Sequence, residues 1–262
     1  MTADIGVIGG SGFYSLLTDA ETVTVRTPYG DPSDTISVGS LAGRRVAFLP
    51  RHGADHRLAP HTVPYRANLW ALRSLGVRQV VSLSAVGSLR ASWGPGTLVS
   101  PDQVVDRTHG RAHTYNDVGV AHVSFADPYC PRGRAAAAAV STELQTAATL
   151  VVVNGPRFSS RAESLEFQSH DWSIIGMTGM PEAGLAREMA LCFSVLALVT
   201  DLDAGVEAGE GVTHAGVMEQ FAANLPRLRE LLVATLAELP TEQGDCECGQ
   251  AYAGTEPPFL LP

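Results

Sequence analysis

Phe193-Ser-Val-Leu-Ala-Leu-Val-Thr-Asp-Leu-Asp203 is the stretch on which the reading of this 262-residue chain turns. Residues 193–199 carry no charge and include β-branched side chains, the pattern of a strand buried on both faces. Thr200, Asp201 and Asp203 follow at once, and Ala204-Gly205 breaks the element. In open α/β sheets, ligands sit beyond the carboxyl ends of the strands. A carboxylate held there is partly desolvated, so its pKa rises and it can keep a proton near neutrality. The plainer alternative is that these acids cap the next helix or sit in a solvated loop. The choice rests on what other polar groups gather at comparable strand ends.

Such groups recur along the chain. Residues 5–8 form a short strand leading into Gly9-Gly10-Ser11-Gly12, a turn that lets backbone approach a ligand. It lacks the full spacing of a dinucleotide fingerprint, and free N–H groups with a hydroxyl suit a small anion instead. Residues 35–38 and 44–49 read as paired strands joined by Ala42-Gly43. The second ends in Pro50-Arg51-His52-Gly53, with His56 and His61 close behind. A fork-shaped guanidinium beside an imidazole makes an oxyanion clamp, and such a cluster stands out in a chain of net charge −9. An amphipathic helix is expected over 65–75, ended by Gly76, then a strand over 79–83 followed by Ser84-Ala85-Val86-Gly87-Ser88.

Downstream, a strand over 97–105 leads to a polar segment, 106–119, with the length of a functional loop. A helix over 134–145 precedes a strand over 150–153 that ends in Asn154-Gly-Pro-Arg-Phe158. A short helix over 161–168 and a strand over 173–175 lead to Gly176-Met177-Thr178. Pro181 then suits the first turn of a helix over 182–191. The last helix, 213–239, is expected to kink or break near Pro226, and a tail over 240–262 closes with Phe259-Leu260-Leu261-Pro262. Alternating strands and helices without repeat or linker predict one α/β domain over 1–262.

The acidic balance argues against nucleic acid or an anionic membrane as partner. No charge-free run approaches the ~20 residues that cross a bilayer, and the N-terminus has no basic region of a leader, so a cytoplasmic location is expected. Of the four cysteines, Cys192 reads as packing beside a buried strand, and Cys130 is isolated. Cys246-Glu-Cys248 is half a metal site or a redox pair. With no second pair or histidine evident beside it, no metal is expected.

Several longer stretches carry a resemblance. Thr27-Pro-Tyr-Gly-Asp-Pro-Ser33, Arg51-His52-Gly53, Tyr65-Arg-Ala-Asn-Leu-Trp-Ala-Leu72, Gly155-Pro-Arg-Phe-Ser-Ser-Arg-Ala-Glu-Ser164, Met177-Thr178 and Thr200-Asp-Leu-Asp203 resemble the 5'-methylthioadenosine phosphorylases of the trimeric purine nucleoside phosphorylase family. The resemblance runs nearly the whole length, from Gly6-Val-Ile-Gly-Gly-Ser-Gly12 to the closing Leu-Leu-Pro. It implies a central mixed β-sheet flanked by helices, and reversible phosphorolysis of a purine nucleoside with inorganic phosphate as co-substrate and no cofactor. It implies that Ser11, Arg51, His52, Ser84, Ala85 and Thr178 bind phosphate. Met177 would pack beneath the ribose and Phe158 beside the base, with Asp201 and Asp203 facing the purine. His214 and Val217 would line the 5' end. His122 and Leu260 would serve the neighbouring active site, with the tail docked there in a homotrimer.

The chemistry joins the two readings. Breaking an N-glycosidic bond develops positive charge on the sugar and negative charge on the base. A protonated Asp201 can donate to purine N7 and accept from a 6-amino group through its other oxygen, whereas an Asn would suit a 6-oxo base. Aspartate therefore predicts preference for adenine nucleosides, with 5'-methylthioadenosine as substrate. The alternative is a purine nucleoside phosphorylase of broader, 6-oxopurine, 5'-hydroxyl or other 5'-modified nucleoside specificity, since the His214 imidazole could hydrogen-bond a polar 5' substituent.

Overall fold

The apolar run at 193–199 is the interior of a longer strand. In the computed structural model, which describes residues 1–10, 13, 17–206 and 211–262, β10 spans Cys192–Leu202 and pairs in parallel with β5, Gln79–Ser88. Successive side chains of a strand point to opposite faces, so a run apolar at every position needs cover on both sides. Phe193, Val195, Ala197 and Val199 pack in one apolar cluster with Leu69, Leu72 and Leu185. Leu196 and Leu198 pack in another with Leu228, Leu231 and Leu232. The first group of helices is α1 (Tyr65–Ser74) and α4 (Gly179–Glu188), and the second includes α5 (His214–Glu238) with α2 (Pro131–Val140) against it.

The sheet is ten-stranded and mixed, as expected. Its main order runs β2 (Thr18–Val23), β3 (Ile36–Leu41), β4 (Arg44–Pro50), β1 (Ile5–Gly9), β5, β9 (Ile174–Gly176), β8 (Thr149–Val153) and β7 (Gln103–Arg107). β10 takes the other edge of β5 and also pairs with β6, Leu98–Val99. A short helix α3 (Arg161–Ser169) begins with a full capping box, Ser160 accepting from the Glu163 amide and Glu163 reaching back to the Ser160 amide.

Several elements differ from expectation for identifiable reasons. β5 does not stop at Leu83, because β10 goes on pairing with it as far as Ser88. β10 likewise continues through Thr200 and Asp201, with a shift of register between Val199 and Asp201. The strand expected over 97–105 is two pieces: β6 pairs with β10 and β7 with β8, and Pro101 between them has no N–H for a ladder. α2 begins earlier than expected, with Pro131 in its first turn, and stops at Val140 where Ser141 turns extended. α5 is one helix through Pro226, held on both sides of the proline by Phe221, Leu225 and Leu228 in the same apolar cluster.

The closing segment is anchored on its own chain. Residues Glu247–Gln250 form a 3-10 turn, and the Tyr252 hydroxyl donates to the Glu188 carbonyl at 2.9 Å. The Phe259 ring lies 5.4 Å from that of Tyr115, while Leu260 stays 77 % exposed. Among the described residues, no helix is long and apolar enough to cross a membrane. Leu198 is fully buried between β10 and α5, so Leu198→Ala should cost about 2–5 kcal/mol, read as a lower urea midpoint at unchanged slope.

Candidate active site

β5 changes neighbours along one edge, and that change opens the site. β1 pairs with it from Gln79 to Ser82, and β9 joins only at Gly87. Between them no strand among the described residues pairs with this edge, and it borders a cavity of about 480 Å³. Arg51 and His52 reach this cavity from the end of β4, and Ser84 and Ala85 from β5 itself. Met177 and Thr178 arrive after β9, Asp201 and Asp203 from β10. Phe158 comes from the loop before α3, and His214 and Val217 from the first turn of α5. Residues far apart in sequence are thus gathered on one cavity. Ser11 lies outside the described residues, although Gly10 and Phe13 on either side line the cavity. His122 and Leu260 are exposed and do not line the cavity of their own chain, and neither does His61.

One end of the cavity is built around a buried guanidinium. Arg51 is 2 % exposed and makes a two-pronged pair with Glu182, Nε donating at 2.6 Å and Nη2 at 3.1 Å. Nη2 also donates to the Ser82 hydroxyl at 2.5 Å, and Nη1 to the Leu83 carbonyl at 2.9 Å. A guanidinium has five N–H bonds, so these contacts fix its plane and leave one Nη1 hydrogen for a ligand among the described residues. Thr178 caps α4 without using its side chain, leaving its hydroxyl available too.

His52 departs from the cationic role its type suggested. Burial, and then the neighbouring Arg51 charge, push its pKa down to about 4, so the ring is neutral near pH 7. Its Nδ1 lies 2.8 Å from the Leu58 carbonyl, which assigns the proton to Nδ1 and leaves Nε2 an acceptor. His56 stacks on it at 4.7 Å. Beside the Arg51 guanidinium, His52 therefore offers a neutral imidazole that accepts a hydrogen bond in place of a second cation.

The opposite end holds the acids. Burial pushes the Asp201 pKa up to about 6, with the Asp203 charge adding to it and the Thr200 hydroxyl opposing it. Thr200 Oγ1 lies 2.8 Å from Asp201 Oδ2, which leaves Oδ1 as the oxygen to carry a proton. Gly87 is paired opposite Asp201, and a Cβ there would come within 3.0 Å of Oδ1. Asp203 is 4 % exposed, and burial raises its pKa too, against the hydroxyls of Ser164 and Ser159. Its Oδ2 and the Ser159 Oγ are both buried, and the Ser159 hydroxyl acts on the carboxyl without a hydrogen bond of good geometry at either atom. A buried carboxylate so weakly paired is costly in its charged form, which is why burial outweighs the hydroxyls.

Two supporting residues were not anticipated. Glu182, the first residue of the helix expected over 182–191, is 1 % exposed and locks Arg51. Arg111, inside the polar 106–119 segment, is 8 % exposed and donates to the carbonyls of Asn154, Met177 and Met180. It clamps the Met177 turn from behind. Gly155 at φ +61° gives Met177 room, since a Cβ there would meet its sulfur at 2.5 Å. No sequence signal marks these, because their partners are named only by the fold.

Residues 4–237 match the family model of the phosphorylase superfamily. The chain is 58 % identical to a purine nucleoside phosphorylase of Streptomyces coelicolor, covering 99 % of this chain and 98 % of that one. It is 53 % identical to an S-methyl-5'-thioadenosine phosphorylase of Mycolicibacterium smegmatis, over 98 % of this chain and 99 % of that one. Among solved structures, it superposes with TM-score 0.83 on a mutant adenosine/methylthioadenosine phosphorylase from Schistosoma mansoni in complex with methylthioadenosine. That pair shares 34 % identity over 92 % of this chain and 93 % of the other.

A stability signature follows from the raised carboxyl. The native state keeps the Asp201 proton to about pH 6, which the unfolded chain releases near 3.8. The stability this group contributes is therefore full at low pH and is lost as pH rises through that interval. Asp201→Asn should raise the thermal midpoint at pH ~8 by the equivalent of roughly 2–3 kcal/mol, with the gain shrinking toward pH ~4. A gain independent of pH in paired calorimetric scans would contradict the burial of this acid.

Proposed function

The chain belongs to the phosphorylase superfamily, and from that premise we propose that it splits 5'-methylthioadenosine with inorganic phosphate to adenine and 5-methylthioribose 1-phosphate. The observation that carries this reading is a desolvated acid, Asp201, on the same cavity as a fixed guanidinium, Arg51. Phosphate is held by the remaining Arg51 N–H, the Thr178 and Ser84 hydroxyls, backbone of Ala85 and, by the family resemblance, Ser11. The bare His52 Nε2 accepts the hydrogen that phosphate keeps near neutrality. A phosphate oxygen attacks the anomeric carbon while the glycosidic bond lengthens and charge moves onto the purine. Asp201 donates its proton to N7, so adenine leaves neutral. Asp203, on the same cavity wall beside Asp201, accepts from the 6-amino group, a donor that a 6-oxo base lacks.

Phe158 packs on the base and Met177 beneath the sugar, with Val217 and His214 toward the 5' end. We extend the proposal to a homotrimer in which His122 and Leu260 reach the adjacent cavity. The outward Leu260, on a segment otherwise anchored to its own chain, supports this. A second reading, a purine nucleoside with a 5'-hydroxyl, is favoured by His214 on the cavity wall and by the name of the Streptomyces relative.

Steady-state rates on methylthioadenosine, adenosine and inosine, each with and without phosphate, separate these readings. The expected order is methylthioadenosine first and inosine last, with no turnover when phosphate is omitted. Adenosine as the best substrate would favour the second reading, and turnover without phosphate would replace both with hydrolysis. Asp201→Asn should lower kcat/KM on methylthioadenosine by about 10²–10⁴ and shift preference toward inosine.

A further inference from the structure

Cys130, Cys192, Cys246 and Cys248 come from three separate parts of the chain, yet their sulfurs all lie within 4.8 Å of one another. Cys130 caps α2 and Cys192 opens β10, and the Cys130 amide donates to the Phe193 carbonyl at 2.7 Å, which ties those two elements together. Cys246 and Cys248 belong to the 3-10 turn of the closing segment. The pair that Cys246-Glu-Cys248 lacked in sequence is therefore supplied by the core. Cys130, Cys192 and Cys248 are buried and Cys246 half-buried.

We propose that these four cysteines bind one zinc ion as a closed structural tetrathiolate at the base of β10. With Zn–S bonds of about 2.3 Å, the sulfurs of a tetrahedral site stand roughly 3.8 Å apart. The closest observed pair, Cys192 and Cys246 at 3.2 Å, and the 4.8 Å limit of the set bracket that spacing. A pair of disulfides needs sulfurs close two by two, whereas here each of the four is close to the other three. Cys130 stands at the N-terminus of α2, just before Pro131 and Arg132, where the positive end of the helix favours a thiolate. Arg132 donates to the Gln243 carbonyl, which brings a positive charge next to the closing segment. Soft thiolates select zinc over hard cations, and four of them leave no open position for chemistry. On binding, each thiol still protonated releases its proton to solvent, and no oxidation state changes.

The site lies away from the cavity, at the opposite end of β10 from Asp201. Its effect is to staple the closing segment, and with it Phe259 and the outward Leu260, onto the strand that carries the acid.

The test is metal analysis of the full chain purified without chelator, with intact mass under non-reducing conditions. About one zinc per chain and a mass with all four thiols uncrosslinked are expected. Cobalt taken up in place of zinc should show thiolate-to-metal charge transfer and the intense visible bands of a tetrahedral site. Cys246→Ser with Cys248→Ser should abolish zinc binding and speed amide exchange over 243–262, while circular dichroism stays that of a folded α/β protein. A native chain isolated with disulfides in place of thiols would overturn the proposal. So would a fully reduced chain that takes up neither zinc nor cobalt.

Discussion

Parallel pairing of β10 with β5 runs from Cys192 opposite Gln79 to Leu202 opposite Ser88, and the site depends on its last steps. The register shifts between Val199 and Asp201, the kind of irregularity that re-aims a side chain beside an active site. Thr200 stays buried, while Asp201 lines the cavity with Thr200 on one oxygen and Gly87 against the other. A side chain at position 87 would press on both the acid and Ile175, so glycine is what lets the carboxyl lie flat against the sheet. Burial without a cationic partner then does the chemical work, because it disfavours the charged form.

The other end of the cavity follows the opposite logic. Arg51 is buried with its charge matched by Glu182, so the cost of desolvating it is met inside the protein before any ligand arrives. What it offers a phosphate is direction, one N–H held in a fixed plane, and His52 offers a lone pair in place of a second charge. The two ends are matched to a reaction in which an anion enters at one side and a developing anion must be protonated at the other. An ionised Asp201 would repel both. In the folded chain before a nucleoside binds, an acid lifted to about 6 keeps its proton in roughly a tenth of molecules at pH ~7, and excluding water with a bound nucleoside raises that share.

Much of this was legible in the amino-acid sequence because it lies in local patterns. The two-faced strand at 193–199 declared itself by apolar residues at consecutive positions, and the strand ends by their polar clusters. The extents of β5 and β10 were not legible, since Ser84 and Asp201 look like loop residues until a partner strand pairs with them. The state of His52 was hidden for a related reason: its type says cation, and only burial beside Arg51 says otherwise. Glu182 and Arg111 earn their roles through contacts more than sixty residues away in sequence, at |i−j| of 131 for Glu182 with Arg51 and 66 for Arg111 with Met177. The cysteines are the extreme case, with one pair split between α2 and β10 and meeting the other only in the folded chain.

The central claim is that Asp201 acts in its protonated form. The pH dependence of kcat/KM on methylthioadenosine at saturating phosphate, for the natural chain and Asp201→Asn, tests it most directly. The natural chain should lose kcat/KM as pH rises through about 6, the value to which burial lifts this acid, and the variant should lack that limb. A natural chain whose kcat/KM is flat across that interval, or a variant that keeps the same alkaline limb, would contradict it.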